Sequence, residues 1–154
     1  MSSSRRAART RESSSLAQVA AFVAGVWWTL TGLGAFFVQS NFDTGRVHGT
    51  GNLFGTTITV NGWHALFHLT SGLLGIALAR RPRAALAYAL CAGLIYVGIG
   101  AWGLFAGGQS IGVIAVDRSG DLVHAVEGAF LFAAAILALE RQRWDTYRSP
   151  RTSS

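Results

Sequence analysis

The sequence predicts an all-α protein, an integral membrane four-helix bundle, and three observations carry that expectation. Of its 154 residues, 51% are hydrophobic and 13% are charged, whereas an ordinary soluble domain carries about 25% charged residues. The apolar residues gather into four blocks of roughly 18–24 residues, each long enough to cross about 30 Å of hydrocarbon as a helix. A soluble domain of this length could not bury four such blocks without leaving large apolar patches in water. Mean hydropathy is +0.37, in keeping with this partition.

The elements follow in order. Residues 1–15 are rich in Ser and Arg and lack apolar periodicity, so a disordered cytoplasmic tail is expected there. The first span covers about 16–38. Its basic flank resembles the start of a signal peptide, yet the apolar run is too long and no A-x-A site follows, so it should remain attached as an anchor. A loop from Gln39 to about Thr57 is rich in Gly, Thr and Asn. The second span, about 58–79, stops at "ARRPR", where Pro82 and three arginines end a helix. The third span covers about 84–106. The loop "GGQSIGVIAVDRSG" leads to the fourth, about 121–139, and residues 140–154 form a polar, basic cytoplasmic tail. Residues 16–139 thus make one transmembrane domain, the natural count for this length.

Orientation follows from the arginines. The net charge of +6 comes from thirteen of them, with no lysine. Arg5, Arg6, Arg9, Arg11, Arg80, Arg81, Arg83, Arg141, Arg143, Arg148 and Arg151 all fall in the N-terminal tail, the middle loop or the C-terminal tail. Only Arg46 and Arg118 fall in the other two loops. Four spans put the first three segments on one side, and the positive-inside rule makes that side the cytoplasm of a plasma membrane, with both termini inside. This placement explains the basic charge without nucleic acid. The lipid bilayer is the expected surrounding. Cys91 is the single cysteine and lies inside an apolar block, so no disulfide framework exists within the chain.

Inside the spans the polar residues form a layer. "NGWHALFHLTSGLLG" places His64 and His68 one turn apart on one helix face, followed by Gly72 and Gly75. "DLVHAVEG" in the fourth span holds Asp121, His124, Glu127 and Gly128. Both spans contain H-x-x-x-G and both run inward from the outer side, a pattern of two helical hairpins built alike through internal duplication. The glycines Gly72, Gly75 and Gly128 mark where a second helix can approach closely.

A histidine in a membrane helix faces the bundle interior and finds a partner there. The layer has several readings. In a structural network, His64 or His68 bonds to Glu127, with Asn61 and Asp121 capping the helix starts. In a metal site, His64, His68, His124 and Glu127 supply three imidazoles and a carboxylate, suited to zinc or iron. In a b-type haem site, His64 or His68 faces His124 across the iron. Proton transfer or a small-ligand pocket would use Glu127. No soluble catalytic pattern is present: the chain lacks G-x-S-x-G, a Walker loop, H-E-x-x-H and C-x-x-C.

"LFG…ITVNGWHALFHLTSGLLGI", "YALCAGLIYVGIGAWGLF" and "DLVHAVEGAFLF" together resemble the actinobacterial four-span membrane proteins of domain of unknown function 4383. The matching positions are Asn61, His64, His68 and Gly72 in the second span and Asp121, His124 and Gly128 in the fourth. The resemblance implies a multi-pass membrane protein of actinobacterial origin and carries no activity. The resulting expectation is a non-enzymatic accessory or envelope component without a cofactor, working as a homo-oligomer or with a membrane partner protein. The alternative is a redox protein that holds haem b or a zinc or iron ion in the histidine layer.

Overall fold

The computed structural model describes residues 3–44, 49–53, 55–107 and 110–148. Among the described residues, four helices and two antiparallel β-hairpins follow one another. They are α1 (Ser3–Val38), β1 (Gly49–Leu53), β2 (Thr56–Val60), α2 (Gly62–Leu78), α3 (Pro82–Ala106), β3 (Ser110–Ile111), β4 (Ile114–Ala115) and α4 (Arg118–Arg148). The all-α class therefore forms as the sequence predicts. Leu16–Val38, α3 and α4 are long and apolar enough to cross a membrane, and large side chains such as Leu30, Leu94, Val126 and Phe130 point outward from them. Apolar side chains turned outward along helices of this length mark a membrane protein.

Several boundaries differ from those expected. α1 starts at Ser3, so the helix continues back through the segment expected to be disordered. Ala, Arg and Glu favour helix, and neither Gly nor Pro interrupts that stretch. α4 runs on to Arg148, into the basic tail. Residues 1–2 and 149–154 of the tails, and Arg46, lie outside the described residues. The second span begins later than expected, because Thr56–Val60 form a strand that pairs with Gly49–Leu53. The run TTITV is β-branched throughout, which favours the strand, and Gly55 supplies the left-handed turn residue at φ 85°. The loop before α4 carries a smaller hairpin of the same kind.

Each pair of helices is held by backbone contact at glycine. A Cβ on Gly72 would lie 2.4 Å from Thr29 N and 2.7 Å from Gly25 O, and one on Gly25 would lie 2.8 Å from Gly72 O. Gly32 crosses α2 one level away, where a Cβ would meet Leu69 N at 2.6 Å and Ala65 O at 2.9 Å. The second pair repeats this pattern. A Cβ on Gly128 would meet Val97 N at 2.4 Å and Gly93 O at 2.7 Å, and one on Gly100 would meet Asp121 O at 2.4 Å and Ala125 N at 2.5 Å. A shift of 68 residues carries Gly25 and Gly32 onto Gly93 and Gly100. A shift of 56 carries Ala65, Leu69 and Gly72 onto Asp121, Ala125 and Gly128. The partners shift with them, so the two helical hairpins are one packing solution used twice. The odd-numbered helices supply half of each contact through Gly25, Gly32, Gly93 and Gly100.

The two hairpins then pack through α1 against α3 and α4. Equivalent residues meet at the centre. Trp28 and Tyr96, related by the same shift of 68, stack with ring centroids 3.8 Å apart and planes 11° from parallel. Both are buried, as are the equivalent alanines Ala17 and Ala85 and the pair Ala21 and Ala89. Trp28, too deep for an interface belt, is thus a core residue.

These contacts make a packing prediction. Gly72→Leu and Gly128→Leu should each cost about 3 kcal/mol or more through overpacking, lowering Tm in detergent by about 10 °C. Gly98→Leu should change it little, since nothing lies within 4 Å of a Cβ there. Equal melting temperatures for the three variants would contradict the close-packed glycine contacts.

Candidate functional site

At the hairpin end of the bundle the polar side chains converge. Asn61 caps α2: its Oδ1 accepts from His64 N at 2.9 Å. The same oxygen accepts from Ala115 N at 3.3 Å, and its Nδ2 donates to Val113 O at 2.8 Å. Asn61 therefore ties the start of α2 to the hairpin before α4. The corresponding cap of α4 is Asp117, whose Oδ1 accepts from Gly120 N at 2.8 Å and whose Oδ2 accepts from Thr59 N. Asp117 lies 56 residues after Asn61, so the two caps are equivalent and each reaches across to the other hairpin. Asp121, expected as the cap, instead sits one turn into α4, buried against α3. A Cβ on Gly103 would lie 2.1 Å from its Oδ1, and that oxygen has no hydrogen-bond partner among the described residues.

His64, His68 and His124 come together as one buried cluster. Two of them follow from the one-turn spacing on α2, and the third enters from α4 at the position equivalent to His68. His68 Nε2 lies 3.2 Å from His64 Nε2 and 3.1 Å from His124 Nε2. The far sides of two rings are anchored. His64 Nδ1 is 2.8 Å from Ala115 O, and His68 Nδ1 is 3.1 Å from Thr31 Oγ1. Tyr96 closes the cluster from below, edge-on to His68 and His124 at 5.6 Å from each. A cavity of about 340 Å³ opens beside it, lined by Leu30, Ile58, Val60 and Val123 together with the three histidines and Glu127. His68 and His124 face each other directly through their Nε2 atoms, and the ring of His64 lies 5.1 Å from that of His124.

Glu127 does not take up a histidine. Its Oε1 accepts from Trp27 Nε1, and its Oε2 accepts from Trp28 Nε1 at 2.9 Å. The expected pairing with His64 or His68 is thus replaced by a clamp of two adjacent indoles from α1. Trp donates only, so two indoles suit a carboxylate and hold α1 to α4 across the hairpin boundary. Gly72 and Gly128 lie one turn below their histidines and form the crossings described above. Gly75 also faces inward, where a Cβ would meet Tyr88 Oη at 2.6 Å.

Residues 18–137 match the family described as Domain of unknown function (DUF4383). The chain belongs to this family. No curated protein and no solved structure matches it. The DUF4383 match covers most of both helical hairpins and every residue of the polar layer. The spacing H-x-x-x-G pointed to part of this DUF4383 site. It did not reveal Thr31, Trp27, Trp28, Tyr96 or Asp117. Asp117 was open to discovery, because extending the 56-residue shift from His68–Gly72 back to Asn61 lands on it. Trp27 and Trp28 carry no such signal in α1.

Coupling measurements follow from this geometry. Trp28→Phe and Glu127→Gln in a double-mutant cycle should show coupling, about 0.6 kcal/mol on average for polar pairs in membrane bundles and near 1.7 at most. His68→Ala and Glu127→Ala should be close to additive, since the carboxylate is held by indoles. Coupling confined to the His68–Glu127 pair would contradict the clamp.

Proposed function

We propose that this chain is a four-span protein of the plasma membrane of actinobacteria, with both termini in the cytoplasm. It works as a non-enzymatic accessory or envelope component. The carrying observation is that the polar interior is committed to joining helices. Asn61, Asp117 and Glu127 each bind across from one hairpin to the other, and the glycines bring backbones into contact. Such an interior builds a rigid body for lipid and for neighbouring membrane chains.

The helix ends support the sidedness. Gln18 Nε2 donates to Ala79 O at 2.9 Å, so the start of the first span meets the end of α2. Arg80, Arg81 and Arg83 lie at that end, which is also where α3 begins and α4 finishes. The histidine layer lies at the opposite, outer end. α2 has 17 residues, about 25 Å at 1.5 Å per residue, a few ångströms short of the hydrocarbon thickness. Its close contact with α1 and local thinning of the bilayer accommodate that difference at modest cost.

A reporter enzyme active only outside the cytoplasm should be silent when fused after Ser154 and active when inserted at Gly49. Activity at the C-terminal fusion would overturn the sidedness and the even span count. The partner role is tested with a photo-crosslinking residue at Phe130, which faces outward from α4. The expected product in native membranes is an adduct with a second copy or another membrane protein, and adducts with lipid alone would overturn it.

A further inference from the structure

Three imidazole nitrogens converge inside the bundle at a point where one cation can serve all of them. Ala115 O is a carbonyl and only accepts, so His64 carries its proton on Nδ1 and presents a bare lone pair on Nε2. The Thr31 hydroxyl has one proton, and Trp27 O lies 3.0 Å from it, one turn back on the same helix. With that proton on Trp27 O, Thr31 Oγ1 accepts from His68 Nδ1, and His68 Nε2 is then bare as well. Two lone pairs then face each other at 3.2 Å, inside a buried cluster. His124 approaches the same point. Its Nδ1 has no partner among the described residues, so the ring is at liberty to hold its proton there and offer Nε2.

We infer that His64, His68 and His124 hold one divalent transition-metal ion of the zinc class through their Nε2 atoms, with a fourth coordination position facing the cavity. A shared proton would bridge only two of the three nitrogens, whereas one metal ion serves all three. The candidate ligand atoms lie within 4.8 Å of one another. With zinc–nitrogen bonds of about 2.0–2.1 Å, the nitrogens of a tetrahedral site stand about 3.3–3.4 Å apart. Two of the three edges, at 3.1 and 3.2 Å, are within a few tenths of an ångström of that value, and the third, between His64 and His124, lies within 4.8 Å.

The surroundings match what a metal-bound imidazole requires. Ligating histidines fix their other nitrogen on a carbonyl, hydroxyl or carboxylate, which sets the tautomer and aims the ring. His64 and His68 do this through Ala115 and Thr31. The three-nitrogen set suits zinc among the first-row ions when the geometry is near tetrahedral. Glu127 lines the same cavity, but its oxygens are engaged by the two indoles, so the fourth ligand is water or a small anion from the cavity. The repeat adds an independent point. His68 and His124 are equivalent, while the position equivalent to His64 is Gly120. The third ligand is therefore a departure from the repeat, placed where it completes the site. The inference does not depend on which side of the membrane the histidines face.

The test uses the full chain in detergent, purified without a polyhistidine tag, stripped with a chelator and titrated with zinc chloride alone. Wild type should take up one zinc per chain and melt at a higher temperature with zinc than without. His64→Gln and His68→Gln should abolish stoichiometric uptake. Thr31→Val, which removes only the anchor of His68, should weaken binding by about tenfold. Thr70→Val, on the exposed side of α2, should bind as wild type does. Substoichiometric zinc in wild type, or unchanged affinity in a His68→Gln variant that elutes as wild type does, would overturn the inference. Should the histidine variants aggregate, cobalt(II) added to wild type decides. Intense visible bands of a four-coordinate ion support the site, and the spectrum of the aqueous ion overturns it.

Discussion

Backbone contact between helices at glycine is the constraint on which the rest of this protein depends. In a membrane there is no hydrophobic gain from bringing two apolar helices together, so association rests on van der Waals contact and interhelical polar bonds. Gly25 against Gly72, and Gly93 against Gly128, let the backbones meet where any side chain would hold them apart. That approach sets the height at which His68 and His124 stand. Each lies one turn above its glycine and therefore at the same level of the bundle. Widening either crossing would separate the imidazoles.

The repetition of this contact explains the centre of the molecule. Two hairpins with the same internal packing present equivalent residues to each other. Trp28 meets Tyr96 in a stack, and His68 meets His124 directly. The departures from the repeat are chemical. Ala65 corresponds to Asp121, Ser71 to Glu127, and Gly120 to His64. A scaffold satisfied twice over by glycine packing leaves such positions available for polar groups. In this chain they gather at the end where the β-hairpins cover the bundle.

Those β-hairpins matter beyond connecting helices. A membrane helix start exposes backbone N–H groups that need partners. Asn61 and Asp117 supply them and also bind the opposite hairpin, Asn61 through Val113 and Ala115, Asp117 through Thr59. The carbonyl of Ala115, positioned by β4, in turn fixes the ring of His64. A short strand thus governs a tautomer in the buried cluster.

From the sequence alone the all-α class, the three helices long and apolar enough to cross a membrane, and the shared face of His64 and His68 were legible. Those features rest on local properties: block length, the position of Pro82 and the arginines, and the one-turn spacing of His64 and His68. It also showed H-x-x-x-G twice, which is half of the internal repeat. Tertiary structure alone decided which groups pair. Glu127 went to Trp27 and Trp28, some 100 positions away in the chain, and Asp117 rather than Asp121 capped α4. The strand at Thr56–Val60 took the start of the expected second span, because pairing with Gly49–Leu53 uses the β-branched run better than a helix turn does. Composition registers how many polar groups a membrane interior must satisfy. Which donor reaches which acceptor depends on the rotation of each helix about its axis, and that rotation is set by the glycine contacts between helices distant in sequence.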